Sequence, residues 1–126
     1  MSYEIVWEPH GVIKRYSGLL TDNDMIQSVI DAEKDVRFDE LRYVINDFLA
    51  TTGVSLTNES VEEISVMDSG AACTNPNIRI AVVTSLPEIK ELATLYANSP
   101  LNAFPTRIFH TLGEARSWLG DIGVSK

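Results

Sequence analysis

Cysteine is nearly missing from this chain: Cys73 is the only one in 126 residues. No internal disulfide can form, and paired-thiol redox motifs and cysteine-rich zinc motifs are excluded. Histidine is almost as scarce. His10 and His110 stand about a hundred positions apart, without the local spacing of a metal site. Ten basic residues against eighteen acidic ones leave a net charge of −8, which opposes approach to phosphate backbones and anionic lipid surfaces. The expectation is therefore no nucleic-acid partner, no metal and no cofactor. No apolar run approaches bilayer-spanning length, and Met1-Ser2-Tyr3-Glu4 lacks a basic region followed by an apolar one. A cytoplasmic protein without integral membrane contact is expected.

What is present supports one ordinary core, since 44% of the residues are hydrophobic and a chain of this length buries roughly two thirds of its unfolded surface. Tyr3 to Trp7 and Val12 to Ser17 alternate around the turn Glu8-Pro9-His10-Gly11, which predicts an antiparallel edge hairpin with His10 as a solvated turn residue. Thr21 suits the N-cap of a first helix ending near Lys34, with Met25, Ile26, Val29 and Ile30 on one stripe. Residues 42–48, rich in β-branched and aromatic side chains, read as a central strand. Leu56 and Val61 bracket Thr57 as a hydrophobic staple, and Val61, Ile64, Asp68 and Ala71 recur at helical spacing over a second helix from Asn58 to Ala72.

The run Ile78 to Thr84 expects cover on both faces. Ser85-Leu86-Pro87-Glu88 and Thr111-Leu112-Gly113-Glu114 have capping-box spacing, opening a third helix and, after a strand over Thr106 to Phe109, a fourth that Gly120 closes. Leu101 and Phe104, in the loop before that strand, read as plugs for the end of the core, and Cys73 as a buried or half-buried thiol. The order β-β-α-β-α-β-α-β-α predicts a single α/β domain over residues 1–126, with a mostly parallel sheet of about five strands, an antiparallel edge strand and four main helices.

This pattern resembles the bacterial SpoIIAA-like proteins, relatives of the STAS domain with a fold similar to the lipid-binding Sec14 domain. Ser17 to Thr21, Val44 to Asp47, Arg79 to Thr84, and Arg107 to Phe109 with Glu114 to Leu119 carry the resemblance. In the anti-sigma-factor antagonists of the STAS family, an Asp-Ser pair opens the helix after the central strand, and phosphorylation of that serine switches partner binding. Asp47 is followed here by Phe48-Leu49-Ala50-Thr51-Thr52, with no such pair, so no phosphorylation site is assigned. Asp68-Ser69-Gly70 spells the right residues, but too few follow it before Asn75-Pro76 for the required helix. It is read as the last part of the second helix.

In an open parallel sheet, ligands and partners gather at the carboxyl ends of the strands. That edge carries Ser17, Asp47, Thr51, Thr52, Ser85 and His110 as candidate binding residues. Asp47 and His110 would be the acid–base pair of a small hydrolase, but no nucleophile elbow, phosphate-binding loop or spaced carboxylate pair accompanies them. No catalytic residue is assigned. The leading expectation is a non-catalytic binding domain engaging a protein partner or forming a homodimer. The alternative is a Sec14-like carrier of an apolar small molecule, for which the helices leave little spare apolar surface.

Overall fold

The structure is a computed structural model and describes residues 3–124. Strand β1 (Tyr3–Trp7) pairs antiparallel with β2 (Gly11–Thr21), and β2 then runs parallel to β3 (Tyr43–Ser55), β4 (Arg79–Val83) and β5 (Thr106–Phe109) in the order β1-β2-β3-β4-β5. Helices α1 (Asp22–Glu33), α2 (Asn58–Ala71) and α3 (Pro87–Ala97) bury Val29, Val61, Ile64 and Ile89 against one sheet face. The fourth, α4 (Leu112–Val124), buries Ala115 and Leu119 against Ile13, Ile45, Ala81 and Val83 on the other. Both faces of the central strands are therefore covered, as their near-continuous apolar sequence requires.

The N-cap expectations hold at three helices. Thr21 accepts from the Asp24 amide at 3.2 Å and Thr57 from the Ser60 amide at 3.1 Å. Thr111 accepts from the Glu114 amide at 3.1 Å while Glu114 accepts in return from the Thr111 amide at 3.3 Å, the reciprocal pairing of a capping box. Ser85 does not cap α3. It is exposed, and Leu86 occupies the N-cap without a side-chain bond. Buried Thr84 turns the chain instead, its hydroxyl accepting from the Leu86 amide at 3.1 Å. Pro87 at the first helical position has no N–H, so the end needs less capping.

Strands β2 and β3 run beyond the expected ends at Ser17 and Phe48. Gly18, with φ of 71°, and register shifts on either side of it break the period-two pattern, while Leu19↔Gly53, Leu20↔Val54 and Thr21↔Ser55 keep the ladder going. The expected end of α4 at Gly120 is also overturned, because the helix passes through it to Val124. Cys73 is exposed rather than buried, since it sits in the turn after α2 has ended. Of the two loop residues, Phe104 is buried as expected and Leu101 is 40% exposed. A 3-10 helix over Val36–Glu40 had no sequence signature; it buries Phe38 and is tied down by the Asn75 side-chain amide, which donates to the Phe38 and Leu41 carbonyls at 2.8 and 2.9 Å.

Candidate functional site

The six residues of the strand carboxyl edge are spread across it. Ser17, Thr51 and Thr52 lie on the paired extensions of β2 and β3, where Ser17 is level with Ala50 and Gly18 with Thr51. Ser17 and Thr52 are exposed, whereas Thr51 is buried and among the described residues its hydroxyl oxygen has no hydrogen-bond partner. Asp47 is half-buried and accepts from the Leu49 amide at 3.0 Å. Ser85 follows β4, and exposed His110 follows β5. Asp47 is level with Val83, which is level with Phe109. One strand therefore stands between Asp47 and the end of β5, a separation of about 10 Å at ordinary strand spacing, and among the described residues no hydrogen bond joins Asp47 to His110.

A different group of side chains converges. Between the sheet and helices α1 to α3 lies a cavity of about 100 Å³, its wall mostly aliphatic and aromatic, including Val29, Phe48, Val61, Ile64, Ile80 and Val82. Into this apolar space come Lys14 from β2, Asn46 from β3, Glu33 and Asp68 from the last turns of α1 and α2, and Tyr96 from the end of α3. Lys14 and Asn46 are register partners on adjacent strands. Lys14 is 5% and Asn46 8% exposed. Among the described residues the Asn46 side-chain oxygen has no partner, and no carboxylate approaches the Lys14 ammonium nitrogen within 4.0 Å. The Tyr96 hydroxyl donates to Asp68 Oδ2.

Such a site shifts proton equilibria. Burial, followed by the neighbouring Asp68 carboxyl, holds Glu33 well above the usual carboxylate range, so Glu33 keeps its proton where an exposed glutamate has lost it. Burial pushes the Lys14 amine down, against the opposing pull of Asp68, Glu33 and Asp31. Because the folded chain retains the Glu33 proton above the unfolded value of 4.5, the stability this contributes is complete below that value and is lost as pH rises through the raised folded one. Lys14 has the opposite sign: its contribution is complete above 10.5 and is lost as pH falls through the lowered folded value. Urea unfolding from about pH 5 to pH 8 is expected to find wild type losing stability relative to Glu33→Gln, by at most about 1.4 kcal/mol per pH unit. Parallel profiles would place the carboxyl in water.

These cavity residues were not among the sequence candidates, yet each carried a signal. Lys14 shares the inward phase of β2 with Val12 and Tyr16, and Asp68 continues the buried stripe of α2 begun by Val61 and Ile64. A charge at a core position of an amphipathic element is uncommon unless something offsets it.

Compared as a sequence, the chain matches no protein-family model and no curated protein. Compared as a structure, it superimposes on the anti-sigma factor antagonist SpoIIAA in its unphosphorylated form with a TM-score of 0.62, covering 96% of this chain and 97% of that one. The fold is SpoIIAA-like. Sequence identity over that match is 10%. An uncharacterised DUF3478 protein from Shewanella loihica PV-4, described as having a SpoIIAA-like fold, matches with a TM-score of 0.54 and 14% identity, over 93% of this chain and 91% of that one. At these identities the likeness establishes the SpoIIAA-like architecture and leaves function to the residues. Among the described residues, no helix is long and apolar enough to cross a membrane.

Proposed function

We propose that this chain is a non-catalytic binding domain whose site is the cavity under α1 to α3, and that its ligand is a small, mainly apolar molecule with one polar group. The observation that carries this reading is an apolar chamber with an unpartnered Asn46 oxygen and a buried Lys14 amine on its wall. Its apolar wall, left facing solvent, forgoes the burial that an apolar ligand would supply, and the Asn46 oxygen is left without a hydrogen bond. A ligand that fills the space and meets the polar groups recovers both. Native mass spectrometry of the protein from its own host, together with NMR titration by butanol, tests it. Shifts confined to methyls such as Val29, Ile64 and Val82, abolished by the cavity-filling Ala32→Leu, are expected. An unchanged spectrum with no co-purifying compound would sink the idea.

A second reading, engagement of a protein partner at the strand carboxyl edge, has its own observation. Strand β3 leaves β4 at Asp47 and continues to Ser55 with β2 on one side alone. Among the described residues its outer edge there is unpaired, Leu19 and Leu49 are exposed nearby, and Ser17, Thr51 and Thr52 lie on the same ribbon. An open edge is a template for strand addition. The SpoIIAA neighbour is itself an anti-sigma factor antagonist. Size-exclusion chromatography with light scattering and affinity capture, repeated on Leu49→Lys, measure this reading: a dimer or a saturable complex lost in the variant supports it, and a monomer that captures nothing opposes it.

A further inference from the structure

Lys14 is placed unlike a structural lysine. It projects from β2, the strand between antiparallel β1 and parallel β3, into an apolar chamber. Among the described residues it has no ion-pair partner within 4.0 Å, although it lies in the field of Glu33 and Asp68. An amine so placed is desolvated, and a desolvated amine is a better nucleophile than a hydrated ammonium. Around it stand a carboxylic acid, Glu33, a carboxylate-bound phenol, Tyr96, and a lone acceptor, the Asn46 side-chain oxygen.

We propose that Lys14 captures a short aliphatic aldehyde lodged in this cavity as a reversible Schiff base. This rests on the cavity being the binding site. The volume sets the ligand's size: a cavity of about 150 Å³ accepts benzene, so about 100 Å³ admits a chain of roughly butanal's length. Charge sets its class. With Glu33 and Asp68 already in the chamber, a fatty-acid carboxylate would be a third acid there, whereas a carbonyl compound arrives neutral.

The chemistry balances with the groups present. The lone pair of Lys14 Nζ forms a bond to the carbonyl carbon, and the carbonyl π pair moves to oxygen. Transfer of a proton from nitrogen to that oxygen yields a neutral carbinolamine, whose new hydroxyl has Asn46 Oδ1 as an acceptor. Glu33 then protonates this hydroxyl as the C–O bond breaks, water leaves, and the remaining nitrogen proton returns to the Glu33 carboxylate. The sum is amine plus aldehyde giving imine plus water, with no oxidant or reductant.

Treatment of the full chain with butanal and sodium cyanoborohydride, followed by peptide mapping, reads the adduct directly. Reduction is expected to leave one butyl group on Lys14, formed about tenfold faster than on exposed Lys34 or Lys90, because burial keeps more of the Lys14 amine unprotonated. Lys14→Met, which keeps the length of the stem, is expected to abolish the fast adduct and to keep the wild-type circular dichroism. The wild-type map stands even if the variant fails to fold. Labelling of Lys14 no faster than Lys34 and Lys90, while butanol still perturbs the cavity methyls, overturns the Schiff base and leaves the binding reading intact. If neither butanol nor butanal engages the cavity, both fall.

Discussion

Tyr16→Ala is expected to remove about 4 kcal/mol of stability, the range for emptying an aromatic site in a core. Tyr16 is 1% exposed, its ring stacks on Phe48 with centroids 4.6 Å apart and planes 17° from parallel, and Tyr3 packs against it at a tilt with centroids 6.1 Å apart. Its hydroxyl shares a hydrogen bond of 2.7 Å with Ser28 Oγ, in turn bonded to the Met25 carbonyl at 2.7 Å. The tyrosine thus joins β1, β2, β3 and α1 in one packed unit. Most of the effect comes from the ring, because Tyr16→Phe removes only the hydroxyl, leaves Ser28 its carbonyl partner and should cost about 1 kcal/mol. Urea unfolding of both variants measures the separation. If they lose equal stability, the hydroxyl rather than the aromatic packing is what matters.

Gly11→Ala should be the second most damaging change, at about 3 kcal/mol, the upper part of the overpacking range. Gly11 and Tyr43 are register partners on adjacent parallel strands. A Cβ at position 11 would overlap Cδ1, Cε1 and Cζ of the Tyr43 ring. The ring cannot simply swing aside, because its hydroxyl donates to Glu8, and Glu8 is also held by two hydrogen bonds from Arg116, at 2.8 and 2.6 Å. One alanine methyl therefore disturbs the edge hairpin, β3 and α4 together. A double-mutant cycle isolates the cause. On a Tyr43→Ala background the same substitution should cost less than about 0.5 kcal/mol. A full cost there would move the explanation from the ring to the backbone.

Both predictions concern the layers beside the cavity, and they bear on function through it. A sheet fixed by Tyr16 on one face and by the Gly11–Tyr43 contact on the other holds Lys14 and Asn46 in a constant register. The chamber between that sheet and the three helices can then stay open without collapsing, which a looser core would not permit.

The sequence by itself determined the order of nine principal elements, the antiparallel edge hairpin and the caps at Thr21, Thr57 and Thr111. These depend on neighbours within a few positions, where hydrophobic period and hydroxyl placement act directly. It stopped short where a residue's role comes from something distant. Ser85 has the spacing of a cap, but Thr84 performs the turn because the strand end buries it. The second halves of β2 and β3 fall outside the strands expected from the sequence, because a bulge at Gly18 disturbs the period-two pattern, yet each supplies the other's hydrogen bonds. The cavity group is the extreme case: Lys14, Glu33, Asn46, Asp68 and Tyr96 come from five elements, and local pattern marks each only as a polar residue in a core phase. Strand order and the placement of three helices on one face decide that they meet, because proximity across a sheet is a property of the assembled layers.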